Sequence, residues 1–238
     1  MNLAIVGYGK MGKEIEQLAL ERNHKVVLII DENNINNLTS EDFNAVEVAI
    51  EFSIPESAFS NINLCFDNNV PVVSGTTGWL DKFEKVIARC KNEDKTFFYA
   101  SNYSIGVNLF FKLNEHLAKM MNDFTDYNVE VEETHHTQKV DAPSGTAITL
   151  AEGLIKNVER KDKWEKELSS SDDSIAIKSI REGNVPGNHK ITYESGFDKI
   201  MIEHDAKSRK GFALGAVLAA EFIADKKGFY TMDNMLKF

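Results

Sequence analysis

The sequence predicts an α/β protein in which a doubly wound parallel sheet is joined to a second, α+β domain carrying a mixed sheet. Three observations predict it. Short β-branched runs alternate with stretches of helical periodicity up to about residue 100, and the first run ends in a glycine-rich turn. Beyond Asn102 the alternation gives way to one long helix and several strands close together in sequence.

LAIVG (3–7) is an apolar strand, and KEIEQLALER after it repeats Ile15, Leu18 and Ala19 at helical spacing. KVVLIID (25–31), VEVAIEFS (46–53), VPVVSG (70–75) and TFFYAS (96–101) are further strands. Most lack in-out alternation, as expected of a parallel sheet covered on both faces. Pro55-Glu56 opens a helix to about Phe66, WLDKFEKVIARCK supplies another, and the Asn-rich ENNINNLTS (32–40) reads as loop. GVNLFFKLNEHLAKMMNDF is a long helix; in YNVEVEE, Val129 and Val131 alternate with Glu130 and Glu132, the pattern of a half-exposed strand. The helix ITLAEGLIKNV follows, then the strands SIAIKSIRE, HKITYES and KIMIEHDA, and a final helix at about 212–225 whose small-residue faces suit packing on the first domain. The expected organisation is a dinucleotide-binding domain over 1–104, a substrate-binding and oligomerisation domain over 105–209, and a return of 210–238 to the first.

Composition narrows the function classes. The 238 residues are 42% hydrophobic and 27% charged, enough for a globular core in each domain. A net charge of −10 argues against a nucleic-acid surface. Cys65 and Cys90 have neither metal-ligand spacing nor the density of a disulfide scaffold, which fits a reducing cytoplasm. No basic leader precedes the first apolar run, and FALGAVLAAEFIA is interrupted by Glu221 and too short for a bilayer, so a soluble cytoplasmic protein without a membrane partner is expected.

GYGKMG places Gly7, Gly9 and Gly12 in G-x-G-x-x-G spacing between a strand and a helix, with Lys10 and Met11 inside the loop. In that context the first glycine permits the turn, the second admits a pyrophosphate to backbone amides, and the third lets the helix approach the strand, which is a Rossmann-type arrangement. Asp31 closes the second strand, where a carboxylate can accept hydrogen bonds from ribose hydroxyls. Glu32 follows, and no Lys or Arg occurs again before Lys82, so NADH is expected to be preferred, with NADPH possible through Lys10. Gly75, Thr76 and Thr77 in one loop, and Ala100, Ser101, Asn102 and Tyr103 in another, follow apolar strands at the carboxyl edge, where ligands of such sheets bind.

ETHHTQKVDAPSGTA (133–147) holds more chemistry than a turn requires. Adjacent residues of an extended chain point to opposite sides, so His135 and His136 are expected to do different work. A metal site is disfavoured, because His-His lacks the i, i+4 spacing of common zinc motifs and neither cysteine is near in sequence. Ser144, Gly145 and Thr146 at a helix start form an anion cradle, and Lys139 adds a positive charge. The segment reads as a receptor for carboxylate with a histidine as proton donor.

This run resembles the signature of 4-hydroxy-tetrahydrodipicolinate reductase, the dihydrodipicolinate reductase family of bacterial lysine and diaminopimelate synthesis. GYGKMG, IEFSIPE (50–56), GTTG (75–78), ASNYSIGVN (100–108), IREGNVPGNH (180–189) and KSRKGFALGA (207–216) occur in the family's order along nearly the whole chain. The resemblance implies His135 as general acid, Lys139 as catalytic lysine, and His136, Ser144, Gly145, Thr146 and Arg209 as substrate contacts. It also implies a nicotinamide cofactor, a small cyclic dicarboxylate substrate, reduction by hydride from nicotinamide C4, and a homotetramer built through the second domain's sheet. Another nicotinamide-dependent dehydrogenase of an amino-acid precursor, or a non-catalytic dinucleotide sensor, stays open at this stage.

Overall fold

A computed structural model describes residues 1–168 and 171–238. The chain divides into two units, Met1–Ile105 with Arg209–Phe238, and Gly106–Ser208.

The first unit begins with β1 (Asn2–Val6), α1 (Lys10–Glu21), β2 (Lys25–Ile30), β3 (Val48–Glu51), α2 (Pro55–Asp67), β4 (Val72–Ser74), α3 (Phe83–Asn92) and β5 (Thr96–Tyr99). Pro55 sits in the first turn of α2, where its missing N–H costs nothing. The Asn-rich stretch read as loop contains two short 3-10 turns, Ile35–Asn37 and Ser40–Phe43, the second closed by a capping box between Thr39 and Asp42. Turns this short carry no periodicity for a sequence to display.

The second unit holds α4 (Ile105–Met121), which starts at the boundary, then β6 (Asn128–His135), α5 (Gly145–Asn157), β7 (Lys163–Lys166), β8 (Ser174–Arg181), β9 (Asn188–Glu194) and β10 (Lys199–Asp205). The chain then returns through α6 (Lys210–Ile223), β11 (Gly228–Tyr230) and α7 (Met232–Leu236).

The first sheet runs β11-β5-β4-β3-β1-β2, every pair parallel. β1 shows why its strands lack alternation. Leu3 and Ile5 enter a core with Ile15 and Ala19 of α1 and Ala216 and Ala220 of α6. Ala4 and Val6 enter the opposite core with Ile62 and Phe66 of α2 and Val86 of α3. The three-residue β11, beside β5, escaped the sequence reading because so short a run has no pattern.

The second sheet runs β10-β9-β6-β8-β7 and is mixed: β6 pairs parallel with β8 and antiparallel with β9. Val129, Val131, Ile177, Ile191 and Tyr193 pack with Phe110 and Ala118 of α4 and Leu150 and Leu154 of α5. The other face is polar, with Glu132 paired to Lys190 at 2.6 Å and Lys178 at 3.4 Å. β7, sequence KWEK, offers a single apolar side chain and so went unread.

Candidate active site

At the carboxyl edge of the first sheet, the glycine loop is shaped by contact. Gly7 has φ +91°, and a Cβ there would lie 2.1 Å from the Phe52 carbonyl oxygen. A Cβ on Gly12 would lie 2.3 Å from the Gly7 oxygen, whereas one on Gly9 would meet nothing. Two glycines therefore close the turn and seat α1, and the third leaves the approach to the helix start open. α1 has no side-chain cap and no acidic residue in its first turn, so its leading amides suit an anion.

A cavity of about 520 Å³ adjoins this turn, lined by Gly7, Gly9, Asp31, Glu32 and Phe52 among others. Asp31 is held in place: its Oδ1 accepts from Asn33 N at 2.8 Å and its own N–H donates to Asn34 Oδ1 at 2.9 Å. A second cavity, about 420 Å³, is lined by Gly9, Lys10, Met11, Gly75, Thr76 and Thr77. Helix-start amides that donate, beside a fixed carboxylate that accepts, are what a dinucleotide's pyrophosphate and ribose require, so the residues fit that group.

A buried carboxylate that the sequence reading did not single out underlies these loops. Glu51, with 0% exposure, ends β3. Its Oε1 accepts from Thr76 Oγ1 at 2.8 Å, from Ser53 N at 3.1 Å and from the Ser53 hydroxyl; Oε2 accepts from Ser74 Oγ at 2.6 Å. The third expected loop differs. Tyr103 is 2% exposed, donates its hydroxyl to the Ser74 carbonyl at 2.7 Å and packs its ring 5.5 Å from Phe52. Its side chain is a core element, because a ring of that size finds its apolar contacts inward; Ala100 is also buried, Ser101 is exposed, and Asn102 accepts from Ser104 N at 2.9 Å.

In the second unit, the alternation of β6 runs on past the two valines. Val129, Val131, Glu133 and His135 all take the buried face. His136, one residue on, is half-buried and donates its N–H to the Val185 carbonyl at 2.8 Å. Strand register then assembles the neighbours: Ser179 lies opposite Glu133 on β8, Arg181 opposite His135, and His189 opposite Glu133 on β9.

Glu133 is 0% exposed. Its Oε1 accepts from Ser179 Oγ (2.8 Å), Ser144 N (3.0 Å) and Arg181 Nη2 (3.1 Å). Its Oε2 lies 3.1 Å from His135 Nδ1 and 3.9 Å from His189 Nε2. Burial alone would raise its pKa, but the neighbouring His135 imidazole and the bonds from Ser144, Ser179 and Arg181 outweigh that and hold it well below the usual carboxylate range. For His189, burial and then repulsion from His135 push the pKa down to about 3 despite the attraction of Glu133. The ligand atoms of Glu133, His135 and His189 lie within 4.8 Å of one another, close enough for a cation, but the Arg181 guanidinium already brings positive charge to that carboxylate.

The remaining expected residues divide. Ser144 caps α5, its hydroxyl accepting from Ala147 N at 3.3 Å while its own amide serves Glu133. The cradle is therefore reduced from the expected trio: the Ser144 groups are spent internally, and helix geometry leaves the Gly145 and Thr146 amides without intrahelical acceptors. Lys139 pairs with Asp141 at 2.7 Å. Arg209 is exposed at the start of α6, in the first unit.

Residues 1–103 match the family described as dihydrodipicolinate reductase, N-terminus, and residues 106–236 match its C-terminus. The chain belongs to the dihydrodipicolinate reductase family. It is 52% identical to the 4-hydroxy-tetrahydrodipicolinate reductase of Christiangramia forsetii over 99% of this chain and 98% of that protein. It is 35% identical to the enzyme of the same name from Archaeoglobus fulgidus, over 100% of both. A dipicolinate-bound dihydrodipicolinate reductase from Paenisporosarcina sp. TG-14 superposes with a TM-score of 0.79 at 25% identity, covering 98% of each chain. The protein is accordingly a nicotinamide-dependent oxidoreductase of the dihydrodipicolinate reductase family, and no helix among its described residues is long and apolar enough to cross a membrane.

Three residues of the buried cluster around His135 escaped the sequence reading: Glu133, Arg181 and His189. The signal for the first was present, since extending the Val129–Val131 alternation by two steps puts Glu133 on the face of His135.

The His189 environment has a measurable consequence. Between about pH 6.5 and 3 the unfolded chain takes up a proton at this histidine that the folded chain refuses, so stability falls as pH drops through that window. The limiting slope is about 1.4 kcal/mol per pH unit. Glu133 acts in the same direction, but only below the ordinary carboxylate pKa of about 4.3. The melting temperature of wild type should therefore fall between about pH 6.5 and 5 more steeply than that of His189→Asn; parallel slopes would show that His189 is protonated normally.

Proposed function

We propose that this protein reduces 4-hydroxy-tetrahydrodipicolinate (dihydrodipicolinate) to tetrahydrodipicolinate in lysine and diaminopimelate biosynthesis. The observation that carries the reading is the 52% identity, end to end, with a protein bearing that activity's name. The dipicolinate in the Paenisporosarcina structure supports a planar cyclic dicarboxylate as the kind of ligand.

The dinucleotide, when bound, supplies a hydride from nicotinamide C4. The glycine loop and the start of α1 would hold its pyrophosphate, and Asp31 a ribose. His135 acts as the general acid that meets the charge developing on the substrate as hydride arrives. The Lys139 ammonium and the Gly145 and Thr146 amides bind carboxylate, with Asp141 keeping Lys139 on the segment that carries the cradle. Family resemblance adds His136 and Arg209 as further substrate contacts.

NADH is the better cofactor in this reading. Asp31 and Glu32 make the end of β2 acidic, and among the described residues lining the 520 Å³ cavity there is no Lys or Arg to meet a 2′-phosphate. The polar face of the second sheet, uncovered by helices of its own unit, supports assembly into a homotetramer through that face. The enzyme works in the cytoplasm.

The decisive assay supplies the condensation product of pyruvate and aspartate semialdehyde and follows NADH oxidation; a folded protein inert with both nicotinamide cofactors would overturn the assignment. His135→Gln should lower kcat roughly 10²–10⁴-fold with a smaller change in KM. A loss within a fewfold would make His135 structural. kcat/KM should be higher with NADH than with NADPH, and Asp31→Ser should narrow the ratio; a clear NADPH preference would transfer the 2′-phosphate to Lys10. Light scattering should return four times the chain mass of 26.8 kDa, and a monomer would remove the sheet face from the assembly.

A further inference from the structure

Glu133 makes no contact with the reacting atoms in the proposed reduction, yet the residues around His135 are arranged about it. It rises from β6 two residues before His135, with 0% exposure. Three donors saturate Oε1, while Oε2 has no conventional hydrogen bond and faces His135 Nδ1 at 3.1 Å. A buried carboxylate oxygen needs a proton donor. The other imidazole within reach, His189, stands farther off at 3.9 Å and meets Ser144 Oγ at 3.3 Å through the same nitrogen. A proton on His135 Nδ1 satisfies the need.

The opposite ring nitrogen is differently placed. A Cβ on Gly187 would stand 3.1 Å from His135 Nε2, so the missing side chain at that position leaves room beside Nε2. The carboxylate in turn is gripped. Arg181 donates to it through Nη2, and its guanidinium also donates to the carbonyls of Lys139 at 3.3 Å and Asp141 at 2.6 Å. The segment carrying Lys139 and the strand carrying His135 are thus fixed by one side chain.

We propose that Glu133 is a positioning residue for the reduction: by accepting a hydrogen bond from His135 Nδ1–H it fixes the ring's tautomer and orientation, so that Nε2 is the nitrogen that delivers the proton. The inference rests on the reading of His135 as the acid. In the step itself the substrate gains a hydride from the dinucleotide, which is oxidised, and a proton from Nε2. The imidazole is left neutral, its Nδ1–H still donating to the Glu133 carboxylate, and water returns a proton to Nε2. An acceptor on one ring nitrogen sets the role of the other, as in hydrolase triads. The low basicity of His189 and the firmly ionised state of Glu133 agree with this division of labour.

Two measurements test it. On wild type, selective histidine ¹⁵N labelling should show His135, in its neutral form, as the Nδ1–H tautomer; an Nε2–H tautomer would overturn the proposal without any variant having to fold. Glu133→Gln, which keeps an oxygen for the three donors but loses the charge, should lower kcat at least about tenfold with NADH affinity unchanged. In the Glu133→Gln/His135→Gln double variant the further loss beyond His135→Gln should be within a fewfold, because the two act as a unit. Full multiplication of the two losses, or a wild-type kcat in folded Glu133→Gln, would leave Glu133 as structure alone. If His135→Gln itself keeps wild-type kcat, the acid reading fails and this proposal with it; if only Glu133→Gln is silent, the acid reading stands.

Discussion

A carboxylate shut away from water has to be met by donors, and in the second unit that requirement organises the site. Leaving such a charge unpaired costs several kcal/mol, more than most single packing contacts return. Glu133 is satisfied from three directions: a strand hydroxyl at Ser179, a backbone amide at the start of α5, and the guanidinium of Arg181. Two of the donors stand on β8 and the third at the start of α5, so the carboxylate sets where β8, α5 and the end of β6 meet. The loop after β6 is then pinned further, with His136 N bonded to the Val185 carbonyl and Thr137 N to that of Gly183.

The first unit answers the same requirement differently. Glu51 ends a central strand, but its donors are hydroxyls and an amide from Ser53, Ser74 and Thr76. Its oxygens are met by neutral dipoles and by no cation among the described residues, three donors on Oε1 and one on Oε2. The effect on architecture is alike: the loop after β3, which lines both cavities beside the glycine turn, and the loop after β4, which lines the smaller of them, are drawn onto one buried group. Rigid loops at a sheet's carboxyl edge are what a dinucleotide site needs, since groups already in place bind and orient without further ordering.

Much of this was legible in the chain. The glycine spacing fixed the turn before α1, and Gly7 and Gly12 meet the backbone contacts that their positions implied. Unbroken apolar runs announced the parallel sheet, and the Val129–Val131 alternation announced a strand with one wet face. Adjacent His135 and His136 do separate, one buried and one half-buried, as the pleat requires. Tyr103, by contrast, sits in a polar loop that reads as ligand-lining, and only its inward contacts with Phe52, Phe98 and the Ser74 carbonyl make it a core residue.

What the sequence by itself determined is therefore local: which segments are strands or helices, which face each side chain takes, and which short runs carry reactive groups. What tertiary structure decided is partnership. Ser179 and Arg181 lie 46 and 48 residues from Glu133, and they reach it because the strand order is β9-β6-β8. A strand's own pleat decides the face of a residue, but the neighbour across the sheet depends on how the whole chain crosses over, and no pattern within a single strand encodes that.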